Sequence, residues 1–298
     1  MHRCRLAWKR DKRALRSAHE IVILGVIEAL LLALFMVAAC ILAIALEHPA
    51  SPLRRALVEP LMRRFSMGAA IGLTAVVLIT STWGRRSGAH LNPAVTLTFF
   101  GLGKLSARNA LVYVTFQMLG GAFGVWLVDR VTPSWIAAPE VRWIVTVPGA
   151  AGELAAWIGE GVIACLTMSA VLLLDRSPRL SRYTPTVIGV LLCLYITFEA
   201  PYSGMSLNPA RSLGSAVLAG EWRGFWIYVT APLAGMFAAG ALFGRRYHGR
   251  SVCAKLARGS EEPCPFHCDC SLDAAQAPVE LSRSRAVAHS ESVLGDRR

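Results

Sequence analysis

Two copies of one short pattern constrain this chain more than any other feature: Ser87-Gly88-Ala89-His90-Leu91-Asn92-Pro93-Ala94 and Ser203-Gly204-Met205-Ser206-Leu207-Asn208-Pro209-Ala210, both set within long apolar sequence. Each Asn-Pro-Ala reads as a helix start, because Pro at the first helical position needs no amide donor and Asn before it is a good N-cap. A Gly-containing extended stretch precedes each start. The runs that follow, 93–100 and 209–219, are about half the roughly 20 residues that a bilayer crossing requires. One Asn-Pro-Ala alone is an ordinary surface turn. Two in matching contexts point to paired discontinuous helices meeting near a bilayer midplane.

With 54% hydrophobic and 17% charged residues and a mean hydropathy of +0.47, the chain is too apolar for an ordinary soluble protein. Apolar runs of spanning length fall near 21–46, 66–83, 109–128, 154–174, 184–199 and 224–244. The first exceeds a signal-peptide core and lacks a small-residue cleavage pattern, so it reads as a retained span. The order span, span, half-helix, span occurs twice. This predicts an all-α membrane protein of six transmembrane helices plus two re-entrant half-helices, with repeat halves at about 21–128 and 154–244. Three spans per repeat place the second repeat upside down, so the two caps approach from opposite faces.

The net charge of +12 does not call for a nucleic-acid partner, because the basic residues sit in tails and short loops where positive-inside sorting explains them. Arg3, Arg5, Lys9, Arg10, Lys12, Arg13 and Arg16, the 84–108 loop and the 175–183 loop place both termini in the cytoplasm. The 47–65 loop, with Arg54, Arg55, Arg63 and Arg64 among Glu47 and Glu59, counts the other way. The domain reading is a basic cytoplasmic tail over 1–20, a channel-forming domain over 21–247, and a polar cytoplasmic tail over 248–298 whose composition predicts disorder. Cys40, Cys165 and Cys193 lie in spans and Cys4, Cys253, Cys264, Cys268 and Cys270 in the tails, so reduced thiols are expected. The tail cluster Cys264-Pro-Phe-His267-Cys268-Asp269-Cys270 fits no common zinc spacing. No metal and no cofactor are expected.

Half-helix N-termini aimed into a cavity bring about half a positive charge each and oppose any cation, and Asn92 and Asn208 add amide donors there. The carbonyls of Gly88, Ala89, His90, Gly204 and Ser206 would be left unpaired by the extended stretches, which is tolerable at membrane depth only along a wet path. Arg211, in the first turn of a half-helix whose end is already positive, is a functional residue by default. Glu28 and Glu160 hold the same place in the two repeats and are expected to accept hydrogen bonds from loop N–H groups. Gln117, beside Gly120 and Gly121, reads as packing and hydrogen bonding between close helices.

Ser87 to Thr96 (SGAHLNPAVT) and Ser203 to Ser212 (SGMSLNPARS) resemble the two signature loops of the aquaporin, or major intrinsic protein, family, bacterial-type, and the resemblance extends over about residues 20 to 247. It implies an hourglass pore in each subunit, a homotetramer, and passive flow of water or small neutral solutes in a multi-pass protein of a bacterial inner (plasma) membrane. Asn92, Pro93, Ala94, Asn208, Pro209 and Ala210 match the family's paired motif. Counting back from the motifs places Gly72, or Ile71 if the 83–86 segment holds an insertion, with Ile196, Met205 and Arg211 at the family's selectivity filter. No aromatic or His narrows it, which points to a mouth admitting glycerol, urea or neutral metalloid hydroxides beside water. Ser212 and Ala216 resemble the water branch instead, so the solute is left open. Two alternatives from other classes are an ion-coupled secondary transporter and a closed-pore junction or scaffold protein. No nucleophile, base and orienting group converge as in an enzyme.

Overall fold

Side chains apolar around the whole helix circumference cannot pack in water, and this chain is built from such helices. The structure, a computed structural model, describes residues 18–175, 177–244, 252–257 and 264–266. Six long helices cross the length of a bilayer: α1 (Ala18–Glu47), α2 (Pro60–Thr80), α4 (Ala107–Val131), α5 (Gly152–Leu174), α6 (Thr184–Leu194, continuing through a π turn Tyr195–Glu199 to Ala200–Ser203) and α8 (Phe225–Gly244). Between them stand two short helices, α3 (Pro93–Gly101) and α7 (Pro209–Ala219). There is no β-strand among the described residues. Leu34, Ile41, Leu73, Leu111, Leu119, Leu154 and Leu166 stand exposed on the outside, where hydrocarbon is the matching solvent.

Packing repeats across the two halves. α1 lies along α4 as α5 lies along α8, while each half-helix is held by the other repeat, α7 against α4 and α3 against α8. α2 and α6 close the seam between repeats, where a Cβ added at Gly72 would collide with the Gly189 carbonyl oxygen. The half-helices start where the motifs predict, with Asn92 and Asn208 as N-caps and Pro93 and Pro209 at the first helical position.

Two features depart from the sequence reading. Arg63 in the 47–65 segment is buried, with Nε 3.1 Å from the Glu47 carboxylate and Nη1 donating to Leu57 O at 3.0 Å and Val58 O at 2.6 Å. Arg64 Nε donates to Thr197 O at 3.0 Å. These two arginines are held by partners within the fold. The second departure is in the tail expected to be disordered: Val252–Ala257 and Phe266 are buried against the bundle. The basic residues of the first 17 positions, Arg176, and the Cys4, His267, Cys268 and Cys270 positions lie outside the described residues.

Candidate functional site

Each signature loop is hung from one buried carboxylate. Glu28, fully buried in α1, accepts from Ser87 Oγ at 2.7 Å, His90 N at 3.1 Å, Leu91 N at 2.7 Å and Gln117 Nε2 at 2.9 Å. Glu160 in α5 accepts from Ser203 Oγ at 2.9 Å, Leu207 N at 2.7 Å and Ser206 N. The need for such support is visible in the backbone. Gly88 and Gly204 take φ of 100° and 83°, and the non-glycine residues Ala89 (57°), Leu91 (50°), Met205 (50°) and Leu207 (60°) are also left-handed. Each such residue costs about 1–3 kcal/mol. Charge-assisted hydrogen bonds of about 1.5–3 kcal/mol each offset that strain and satisfy N–H groups no helix can use.

A second support was not foreseen. Tyr113 donates through its hydroxyl to Ser87 O at 2.6 Å, 26 residues along the chain, and Tyr228 does the same for Ser203 O at 2.6 Å, 25 residues along. Laying the two repeats on one another would have paired these tyrosines, one in the last span of each half.

The motif asparagines cross over. Asn92 caps its own half-helix through Oδ1 to Ala94 N at 2.8 Å and donates Nδ2 to Leu207 O at 2.8 Å in the opposite loop. Asn208 caps Ala210 N at 3.0 Å and donates Nδ2 to Leu91 O at 2.7 Å. An amide nitrogen carries two hydrogens, so each asparagine keeps one N–H for the space beside it.

That space is a cavity of about 280 Å³ reaching from Met67, Ile71 and Arg211 past Asn92 and Asn208 to Ala75, Val171 and Leu256. Ile71, Ile196, Met205 and Arg211 all line it, with Ile196 in the π turn of α6. Arg211 Nη1 is buried there without a hydrogen-bond partner among the described residues. Two expected positions are corrected. Gly72 does not line the cavity; it faces Gly189, and since consecutive helical residues are about 100° apart, Ile71 takes the inward place. The Gly88 carbonyl is not free either, because Leu256 N donates to it at 3.0 Å. Ala89, His90, Gly204 and Ser206 do lie on the cavity.

The His90 ring is held on both nitrogens. Nε2 lies 2.7 Å from Ala254 O, an atom that can only accept, so Nε2 carries a proton, and Nδ1 lies 3.1 Å from Thr96 Oγ1. Ser212 Oγ, on the other motif, pairs with Thr146 Oγ1 at 2.7 Å and with Ser206 Oγ.

The profile of the family described as Major intrinsic protein matches residues 18–243. Aquaporin-4 of Rattus norvegicus is 33% identical over 174 residues, covering 57% of this chain and 52% of that one. The chain thus spans about half the length of the Aquaporin-4 relatives it matches. Aquaporin TIP4-4 of Zea mays is 32% identical over 206 residues, covering 65% of this chain and 77% of that one. Among solved structures, the aquaglyceroporin from Plasmodium falciparum superposes with a TM-score of 0.63 at 20% identity, covering 76% of this chain and 96% of that chain, a likeness of fold.

Proposed function

The chain belongs to the major intrinsic protein family, and from that premise we propose that it is a passive channel for water and small neutral solutes that refuses protons and ions. The observation that carries this reading is the crossed pair of asparagines, each lying on the cavity with one amide hydrogen unspent. A water oxygen between them accepts from two fixed donors, so its lone pairs are occupied and it cannot also receive a proton from a neighbouring water. The positive ends of α3 and α7, together with the Arg211 guanidinium, raise the electrostatic cost of any cation at the same place. No group in this mechanism titrates or reacts, which fits passive flow and no enzyme.

Ile71, Ile196, Met205 and Arg211 are the filter in this proposal, a reading supported by all four lining the cavity, three apolar side chains and one cation. Apolar walls with a single donor suit a solute that has both a hydrocarbon edge and hydroxyls. Glycerol is therefore expected to pass beside water, as are urea and uncharged metalloid hydroxides. Assembly as a homotetramer, residence in a bacterial inner membrane and cytoplasmic termini belong to the same proposal; family membership supports the first, and the basic residues outside the 47–65 segment support the last.

The test is stopped-flow light scattering on proteoliposomes under osmotic gradients of sucrose and of glycerol, beside current recordings in planar bilayers. Water flux above that of empty vesicles, glycerol flux as well, and no current are the expected results. Fast water flux without glycerol flux would remove the wider filter; neither flux would remove the channel.

A further inference from the structure

The chain past α8 returns to the cavity. Val252, Cys253, Ala254, Lys255, Leu256 and Ala257 are each less than a tenth exposed. Their backbone is tied at three points. Cys253 N donates to the Asp175 carboxylate at the end of α5 at 2.8 Å, Ala254 O accepts from His90 Nε2 at 2.7 Å, and Leu256 N donates to Gly88 O at 3.0 Å. Phe266 completes the seat, stacked on the His90 ring at 5.2 Å between centroids and edge-on to Tyr113 at 5.4 Å. Two of the three backbone ties go to the first signature loop, and Leu256 itself lines the cavity.

Resting on the channel reading above, we infer that residues 252–257, clamped by Phe266, form an autoinhibitory plug that closes the cavity at its His90 end and must leave for full conduction. Three consequences of the seat fit a plug better than a remote anchor. It ties itself to the first signature loop, since Leu256 N donates to Gly88 O. It puts a branched apolar side chain into the lumen, where a solute would have to shed its hydrogen bonds to pass. It fastens His90, the residue two before Asn92, through its outer ring nitrogen. Residues 252–257 form no helix that would have to unravel on release.

Its test uses the full chain in proteoliposomes, wild type beside Leu256→Pro, which removes the N–H bonded to Gly88 O, and Phe266→Ala, which removes the clamp without touching any backbone bond. Water flux per reconstituted channel is read by stopped flow, and alkylation of Cys253 by a water-soluble maleimide is read by peptide mapping. The expected result is flux at least fivefold faster in both variants, with Cys253 protected in wild type and alkylated in the variants. Unchanged flux in both variants overturns the plug, as does faster flux with Cys253 still protected. Should Leu256→Pro fail to assemble, Phe266→Ala decides alone. Absence of flux from every chain overturns the channel reading, and the plug with it.

Discussion

Asn92 and Asn208 each hold the other's loop in place: the amide of Asn92 donates to Leu207 O at 2.8 Å and that of Asn208 to Leu91 O at 2.7 Å. The residue each one grips is the neighbour of its counterpart. A shift of either half-helix along its axis therefore breaks bonds at both caps together, and the two repeats form the cavity only as a pair. The same hydrogen bonds fix which way the remaining amide hydrogens point, which couples the stability of the midplane to its selectivity.

Asn208→Asp separates these two jobs. The carboxylate can still cap Ala210 N, so α7 keeps its start. It cannot donate to Leu91 O, which is left without that partner at a cost of about 1–3 kcal/mol, and it places a negative charge where the two helix N-termini meet. The expected outcome is lower water flux in proteoliposomes and a cation current in planar bilayers where the wild type carries none. Bilayer recordings that stay at the wild-type baseline would place the cation barrier elsewhere, with Arg211 next in line.

Glu28 accepts from His90 N and Leu91 N, so Glu28→Ala strands both in the interior along with the Ser87 hydroxyl, while Gln117 Nε2 keeps its bond to Thr96 Oγ1 at 3.1 Å. Each donor left unpaired in the interior costs about 1–3 kcal/mol. Purified in detergent, this variant should unfold at a clearly lower temperature than wild type, and Glu160→Ala should do likewise through Ser206 N and Leu207 N. Glu28→Gln retains one acceptor oxygen and should lose less. A melting temperature unchanged in Glu28→Ala would mean the loop is supported chiefly by Tyr113.

What could be read from the chain alone follows a physical line. The half-helices and their caps were legible because Asn-Pro is a local signal, interpretable from backbone chemistry without knowing any neighbour. Glu28 and Glu160 were legible because a carboxylate in an apolar run demands a partner. Tyr113 and Tyr228 carry no such demand, since a tyrosine in a span is unremarkable until its hydroxyl is seen on a loop carbonyl. Whether residue 71 or 72 faces inward turns on one residue of helical register, which counting across a loop of variable length cannot fix. The seat of residues 252–257 was hidden for a different reason: its ties are mostly backbone atoms, and composition says nothing about those.

Arg63 tests how much the 47–65 segment depends on a residue that looked like a topological signal. Its guanidinium bridges the Glu47 carboxylate and the carbonyls of Leu57 and Val58, joining the end of α1 to the turn before α2. Arg63→Ala removes every one of these donors from a side chain that is 8% exposed. A loss of about 1–3 kcal/mol is expected, seen as a lower melting temperature and faster proteolysis between Glu47 and Pro60. Arg54→Ala, whose contact with Glu47 is 3.8 Å long between half-exposed groups, should change neither measurably, because exposed pairs contribute about 0–1 kcal/mol.

The filter is tested most sharply by neighbours on α2. Ile71 lines the cavity together with Arg211, whereas a Cβ added at Gly72 would collide with the Gly189 carbonyl oxygen of α6. Ile71→Ala thus removes apolar volume from the lumen and leaves the helix seam alone. The glycerol-to-water flux ratio should rise, with a modest loss of stability. Gly72→Ala adds a methyl group where backbone already sits, so α2 and α6 must part; an overpacked contact of this kind costs about 1–3 kcal/mol, and the variant should melt lower with its flux ratio near wild type. Ile71→Phe, which fills the same inward position with a ring, should lower the ratio below wild type. These three outcomes depend on a single rotation about the helix axis: a ratio that responds to Gly72→Ala and ignores both changes at Ile71 would turn α2 by one residue and put the glycine, not the isoleucine, on the cavity.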